Sequence, residues 1–172
     1  MLKLIIIINF LFTSKVLAEC AIINKNILNK NQIELCSLID KNAKSFGLVK
    51  TITAIAKIES NLGQYNINLQ DPSCSFLHIH LKTYLKRHNI KDNPFNRNKH
   101  CQELINNPKL AIANAIEELL FWKSIHCSKS GCDIVQYQNV VKSYNAGWNY
   151  SSKKANKYYK RFKKAYKELY GD

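Results

Sequence analysis

Apolar residues recur at helical spacing along most of the chain, and this pattern limits the folds that are open to it. Five glycines and three prolines interrupt 172 residues, and few segments alternate apolar and polar residues as half-buried strands do. The spacing predicts an all-α domain. The predicted helices cover residues 31–45, 48–61, 76–88, 108–125, 134–145 and 152–170; the predicted loops cover 64–75 and 89–99, with a turn at 126–133.

The first eighteen residues have the composition of a secretory signal peptide. Lys3 gives a positive start, Leu4–Phe12 forms a short apolar segment, and Val16–Ala18 offers small residues for cleavage after Ala18. The apolar segment is about half of the ~20 residues that a membrane span needs. We therefore expect a periplasmic or secreted protein, with a retained anchor or a lipidated Cys20 as alternatives.

The chain is strongly basic. Its formal charge is +14, and removal of residues 1–18 takes away two lysines and no acid, which leaves +12. A charge of this size favours nucleic acid, anionic lipid or an acidic cell-wall polymer as a partner. Because export separates the protein from the cell's nucleic acid, we expect no nucleic-acid partner.

All six cysteines follow the predicted cleavage point, at positions 20, 36, 74, 101, 127 and 132. An even number of cysteines in an exported chain indicates disulfide bonds, and six cysteines allow fifteen pairings. The sequence alone does not choose among these pairings. Cys127 and Cys132 flank the turn-like tetrad SKSG, which favours a local bridge between them.

An acidic residue interrupts the apolar face of the second predicted helix. Leu48, Ile52 and Ile55 form a stripe at about 100° per residue. Glu59 lies near the middle of this stripe, so it should point at the interior or into a cleft. Burial disfavours the charged form of a carboxyl group, and a carboxyl group that keeps its proton is what a general acid needs. The alternative is an acid at a helix end that turns outward, caps a neighbouring helix or pairs with a lysine.

Three segments resemble the motifs of soluble-type (SLT) lytic transglycosylases. The segment IAKIES ends in Glu59 and Ser60, like the Glu-Ser end of the family's first helix. The segment LAIANAIEELLFW, centred on Asn114, resembles the third element, and SYNAGWN contains the closing Tyr-Asn-Ala-Gly box as residues 144–147. The similarity covers about residues 45–150. It implies a lysozyme-like helical domain of the goose type with a substrate cleft.

The second motif departs from the family pattern. Residues 75–79, SFLHI, stand where the family has Gly-Leu-Met-Gln-Ile, so serine replaces glycine and histidine replaces glutamine. In the family this stretch lines the sugar cleft. His78 is therefore expected to contact substrate in place of the glutamine, with a side chain that titrates near neutral pH.

The resemblance implies a peptidoglycan lytic transglycosylase in which Glu59 acts as both acid and base. Such an enzyme cleaves the β-1,4 bond between N-acetylmuramic acid and N-acetylglucosamine in glycan strands without water and leaves a 1,6-anhydro ring. Ser60, Tyr144 and Asn145 are expected to bind the sugar or to orient Glu59. A lysozyme-type hydrolase of the two-carboxylate kind would need a second acid. Asp71 is the nearest candidate, although an Asp-Pro step is also ordinary turn chemistry.

The predicted organisation is a signal peptide at 1–18, an N-terminal helical extension at 19–44, the catalytic domain at 45–150 and a basic amphipathic helix at 151–172. The apolar stripe of the last helix predicts packing on the domain, and its basic side predicts contact with anionic membrane or wall. A small exported enzyme of this kind also fits secretion or conjugation machinery. The same scaffold without activity fits a cationic envelope-binding or secretion-assembly protein.

We expect no metal and no cofactor. His78 and His80 are two residues apart, which would place them on different sides of a helix, and no HExxH or paired CxxC motif occurs. The chain also lacks a glycine-rich phosphate loop and a G-x-S-x-G elbow. The predicted chemistry therefore rests on side chains alone.

Overall fold

Helices account for most of the chain in the computed structural model, which describes residues 27–68 and 71–171. The predicted helical character is confirmed at this level, while the predicted signal peptide and the cleavage after Ala18 lie outside the described residues. The helices are α1 (Lys30–Ala43), α2 (Val49–Ser60), α3 (Leu81–Arg87), α4 (Pro94–Asn106), α5 (Pro108–His126), α6 (Ile134–Ala146) and α7 (Lys153–Tyr170), with 3-10 turns at Lys44–Phe46 and Gly147–Asn149. The strands are β1 (Ile67–Asn68), β2 (Ser73–Cys74) and β3 (Ile79–His80).

Helix α2 lies at the centre of the hydrophobic core. Six consecutive residues, Thr51–Ala56, are buried, and the helix packs against α1, α5 and α7. Ile52 and Ile55 of the predicted stripe have no exposed surface. Outside this stretch, Val49 is half-buried and Lys50 exposed at the start of the helix, and residues 57–59 are half-buried in its last turn. Glu59 therefore lies in the last turn of α2, just beyond the fully buried part of the helix.

The first and last helices belong to the same core as α2. Helix α7 packs on α2 and α6 and buries Tyr158 and Phe162 of its stripe, so the predicted packing of that stripe is confirmed. Helix α1 contributes Cys36 and Ile39 to the core. The segments at 19–44 and 151–172 thus place their described helices in one core with residues 45–150. None of the described helices is long and apolar enough to cross a membrane.

Residues 67–80 contain a small antiparallel sheet with strand order β1-β2-β3, where the sequence predicts a loop followed by a helix. The predicted helix over 76–88 is wrong at its start, because α3 begins at Leu81. Ser75 and His78 have φ values of 71° and 45°, which a continuous right-handed helix excludes. His78 and His80 therefore lie in a turn and a strand, and not on two sides of a helix.

The predicted loop over 89–99 is wrong in its second half, because α4 begins at Pro94. The side chain of Asn93 caps the helix and accepts a hydrogen bond from the Asn96 N–H at 2.8 Å. Proline at the first helical position has no N–H that would need a partner. The Asn-Pro pair is thus a helix start signal that outweighs the polar composition of the segment.

Two disulfide bonds join described residues. Cys127–Cys132 closes the SKSG turn, as predicted. Cys74–Cys101 ties β2 to α4 across 27 residues. Cys36 is disulfide-bonded as well, and Cys20 lies outside the described residues. The bond from β2 to α4 anchors the small sheet, which has little backbone pairing of its own.

We expect the Cys74–Cys101 bond to contribute more stability than the Cys127–Cys132 bond. In the chain-entropy model, closing a loop of 27 residues is worth about 3.5 kcal/mol, and closing one of 5 residues is worth about 2 kcal/mol. Urea unfolding of C74A/C101A and C127A/C132A compares the two losses in free energy of unfolding. An equal or larger loss in C127A/C132A contradicts this expectation.

Candidate active site

The turn after α2 fixes the position of Glu59. Residues 61–63 all have positive φ values, so the chain reverses direction directly after the helix. The Ser60 hydroxyl donates to the Phe76 carbonyl oxygen at 2.7 Å and accepts from the Gly63 N–H at 2.8 Å. Because Ser60 has no exposed surface, it braces the segment that carries Glu59 and offers no atom to a sugar.

Glu59 is a largely buried carboxylate with a partner on each oxygen. The Tyr158 hydroxyl of α7 donates a hydrogen bond to Oε1 at 2.8 Å. The His78 Nδ1 lies 3.3 Å from Oε2, and 15% of the Glu59 side chain is exposed. Burial and the neighbouring carboxylate raise the pKa of Tyr158, so its hydroxyl keeps the proton that it donates. Two distant parts of the chain therefore hold the carboxylate in one orientation.

The His78 ring is oriented by two acceptors, because its Nε2 lies 3.0 Å from the Tyr65 carbonyl oxygen while Nδ1 faces Glu59. Burial lowers the pKa of His78. The hydrogen bonds to Glu59 and to the Tyr65 carbonyl, together with the negative charges of Glu59 and Asp71, raise it, and the net pKa lies above the ordinary value. The ring is therefore positively charged over a wider pH range than a free histidine.

An open groove of about 450 Å³ lies beside this pair. Arg161 of α7 stands on its wall and donates from Nη2 to the Ile58 carbonyl oxygen at 2.6 Å. The lining combines apolar surface with hydrogen-bonding and cationic groups, which suits a polar ligand with anionic substituents. The residues that line the groove are Ile58, Glu59, Tyr65, Ile67, Asn68, His78 and Arg161.

Tyr144 and Asn145 are neighbours at the end of α6, but Tyr144 is half-buried and Asn145 is exposed. The Tyr144 hydroxyl donates to the Leu77 carbonyl oxygen at 3.1 Å and so fixes the turn that carries His78. Burial and the nearby charge of Glu59 raise the pKa of Tyr144. Asn145 is not among the described residues that line the groove. The structure therefore brings four of the predicted residues together: Glu59 and His78 line the groove, and Ser60 and Tyr144 brace the segments that carry them.

The remaining acids in this region have partners of their own. The Asp71 side chain is 45% exposed, lies 3.5 Å from His80 Nε2 and accepts from the Ser73 hydroxyl. Glu118 of α5 pairs with Arg87 and accepts from the Trp122 indole N–H at 2.6 Å. Neither acid lines the groove as described.

His88 and His100 are not among the described residues that line the groove. His100 lies 2.7 Å from Glu103, and His88 Nε2 lies 3.2 Å from the Asn114 amide oxygen. Within residues 27–68 and 71–171, no group of three or more His, Cys, Asp or Glu side chains is arranged to hold a metal ion.

Tyr158, Arg161 and Tyr65 belong to the site, yet the sequence analysis does not identify them. Tyr158 lies 99 residues from Glu59 in the chain, within a stripe whose spacing indicates packing. The one indication of its role is its chemistry, because a buried tyrosine hydroxyl needs a hydrogen-bond partner. Tyr65 contributes a backbone carbonyl, for which its side chain gives no signal.

Replacing Tyr158 with Phe removes a donor from the Glu59 carboxylate and keeps the packed ring. We expect the free energy of unfolding at pH 7 to fall by about 1.5–3 kcal/mol, which is typical for a hydrogen bond to a charged group. Tyr159→Phe is the matched control, because burial alone raises the pKa of that neighbouring hydroxyl. Its effect on the free energy of unfolding should stay within about 0.5 kcal/mol. Chemical denaturation measures both, and equal losses would argue against a stabilising contact at Glu59.

No family model, curated protein or solved structure matches the chain. What can be inferred about its chemistry therefore comes from the motifs of the sequence and from the residues around Glu59.

Proposed function

We propose that the chain is a peptidoglycan lytic transglycosylase with a lysozyme-like fold, and that Glu59 is its acid and base. The observation that carries this proposal is the composition of the groove, since Glu59 is the one acid among the described residues that line it. Glu59 also stands at the end of a buried helix, where the IAKIES motif predicts it. A reaction that uses one acid/base and no activated water fits this arrangement.

In the first step, Glu59 donates its proton to the glycosidic oxygen between N-acetylmuramic acid and N-acetylglucosamine. The muramoyl acetamido group assists at the anomeric carbon as the bond to the leaving sugar breaks. Glu59 is then a carboxylate, and the hydrogen bond from the Tyr158 hydroxyl stabilises its charge.

In the second step, the Glu59 carboxylate takes the proton of the muramoyl 6-hydroxyl. The 6-oxygen attacks the anomeric carbon and closes the 1,6-anhydro ring, so Glu59 regains its proton and no water is consumed. Ser60 and Tyr144 hold the two turns that present Glu59 and His78. Asn145, exposed at the end of α6, is available to a glycan strand that extends beyond the groove.

A hydrolase of the two-carboxylate kind is the second candidate, and Asp71 is the observation in its favour. Its charge acts on His78, beside the proposed acid. Asp71 is nevertheless bound to His80 and Ser73 and stands outside the described groove lining. A water-activating base would have to face the sugar directly. This placement favours the lyase over the hydrolase.

We propose that the protein acts in the periplasm or outside the cell after removal of a signal peptide. The bonds Cys74–Cys101 and Cys127–Cys132 support an oxidising compartment. Local opening of the wall is a task that wall turnover, secretion and conjugation machinery share, so each is a setting in which this activity would serve.

The exposed side of α7 is proposed as a contact for an anionic membrane or wall surface. All eight lysine and arginine side chains between Lys153 and Lys167 are exposed, and Glu168 is the one acid of the helix. Since the apolar side of α7 is buried in the core, this contact would rely on charge and not on insertion.

Digestion of purified peptidoglycan tests the proposed reaction. We expect the wild-type protein to release muropeptides with 1,6-anhydro ends, identified by mass spectrometry. Glu59→Gln should lower the rate by about 10²–10⁴-fold, the usual contribution of a general acid. Glu34→Gln changes the same charge at an exposed position of α1 and should leave the rate unchanged.

The product distinguishes the candidate functions. Reducing ends in place of anhydro ends would identify a hydrolase. If neither the wild-type protein nor Glu59→Gln released any product, a non-enzymatic envelope-binding or secretion-assembly protein on the same scaffold would replace the lyase.

Three exposed lysines on one side of α7 provide a test of the anionic contact. We expect K157Q/K160Q/K164Q to bind vesicles of anionic phospholipid about 10²-fold more weakly than the wild type at low salt, since each lysine near such a surface contributes about 1 kcal/mol. K30Q/K41Q/K44Q removes the same charge near α1, where the three lysines are also exposed, and should bind more tightly than the α7 variant. Equal weakening in a vesicle sedimentation assay would refute a specific role for α7.

A further inference from the structure

Both ring nitrogens of His78 face groups that accept hydrogen bonds. Nδ1 lies 3.3 Å from Glu59 Oε2, and Nε2 lies 3.0 Å from the Tyr65 carbonyl oxygen. A neutral imidazole has one N–H and cannot donate to both. When Glu59 is ionised, these contacts therefore require an imidazolium. When Glu59 is protonated, a neutral ring keeps its Nε2–H on Tyr65 and accepts at Nδ1.

We propose that Glu59 and His78 hold one proton in common, and that His78 supplies it to Glu59 for catalysis. This inference rests on the proposed function of Glu59 as the acid and base. The proton lies either on Nδ1 or on Oε2, and its movement across the contact breaks no other hydrogen bond, because the Tyr65 carbonyl accepts from Nε2 in both forms.

Charged and titratable groups from the surrounding elements act on this pair. Asp71 adds a negative charge that favours the cationic ring. From α7, the Tyr158 hydroxyl donates to the carboxylate and the Arg161 guanidinium lines the same groove. The negative charge of Glu59 helps to raise the pKa of Tyr144 of α6, whose hydroxyl donates a hydrogen bond to the Leu77 carbonyl oxygen. The proton is therefore exchanged between the Glu59 carboxylate and the His78 imidazole.

The proton balance closes within one turnover. The N–H bond at Nδ1 breaks as an O–H bond forms on Glu59, and this proton passes to the leaving oxygen as the glycosidic C–O bond breaks. In the second step the proton of the 6-hydroxyl goes to Glu59 and returns across the same contact to Nδ1. The pair begins and ends with one proton and needs no outside donor.

A shared proton extends activity to higher pH. A lone carboxyl group loses its acid form as the pH rises through a carboxyl pKa. An interacting pair titrates with macroscopic pKa values of its own, and its last proton leaves when the pH rises through the upper value. The raised pKa of His78 puts that loss above the ordinary histidine value of about 6.5. Activity should therefore persist up to the upper pKa of the pair and fall when the pH rises through it.

The pH profile of kcat/KM for anhydro-product release tests the inference with His78→Gln. Glutamine can donate a hydrogen bond to Glu59 but does not titrate, so we expect the alkaline limb to move to lower pH by about two units, the separation of ordinary carboxyl and imidazole pKa values. His80→Gln is the matched control, because exposed His80 contacts Asp71 and Thr83, and its profile should equal the wild type's. A rate that His78→Gln lowers by one factor at every pH overturns the inference.

A ¹⁵N NMR titration of the His78 ring gives a readout that needs no turnover. We expect the pKa of His78 to fall in Glu59→Gln, because the amide removes the negative charge and leaves the effect of burial. An unchanged pKa overturns the shared proton. If His78→Gln released anhydro products and its alkaline limb did not shift, the proposed function would hold and this inference would be wrong. A shared proton by NMR with no anhydro product would instead overturn the function.

Discussion

A buried helix that ends in a carboxylate has to satisfy that carboxylate where the helix leaves the core. Helix α2 is packed on several sides and fully buried from Thr51 to Ala56, and Glu59 lies one turn beyond this stretch. The Tyr158 hydroxyl of α7 donates a hydrogen bond to this carboxylate, and His78, in the turn before β3, contacts its other oxygen. The site thus arises where α7 and this turn pack against the end of α2.

The periodicity of the sequence predicts most of the helices that fill the core, because burial imposes that spacing directly, but it misses α4, which buries only Leu104. It also predicts the unusual place of Glu59, since an acid in an apolar stripe is visible without a structure. The sheet escapes prediction because its strands are two residues long, too short for any alternation. The turn at His78 escapes because its positive φ is set by packing and pairing and not by the residue type.

The partners of Glu59 show a second limit of sequence analysis. His78 is found because a motif ties it to the acid at a known distance along the chain. Tyr158 is not found, because a contact across 99 residues leaves no local pattern, and a tyrosine that packs has the same spacing as one that donates. Ser60 and Asn145 belong to the same motifs as Glu59 and Tyr144, yet one is buried and the other exposed. Motifs thus name neighbours in sequence, whereas chemistry depends on neighbours in space.

Helix α7 contributes two groups to the site, the Tyr158 hydroxyl and the Arg161 guanidinium. It follows every other described helix, so a ribosome makes it after the segment that bears Glu59. A growing chain therefore carries an unfinished site until α7 has been synthesised and has docked. A chain shortened before α7 would keep Glu59 and its contact with His78 but would lack the Tyr158 donor and the Arg161 guanidinium.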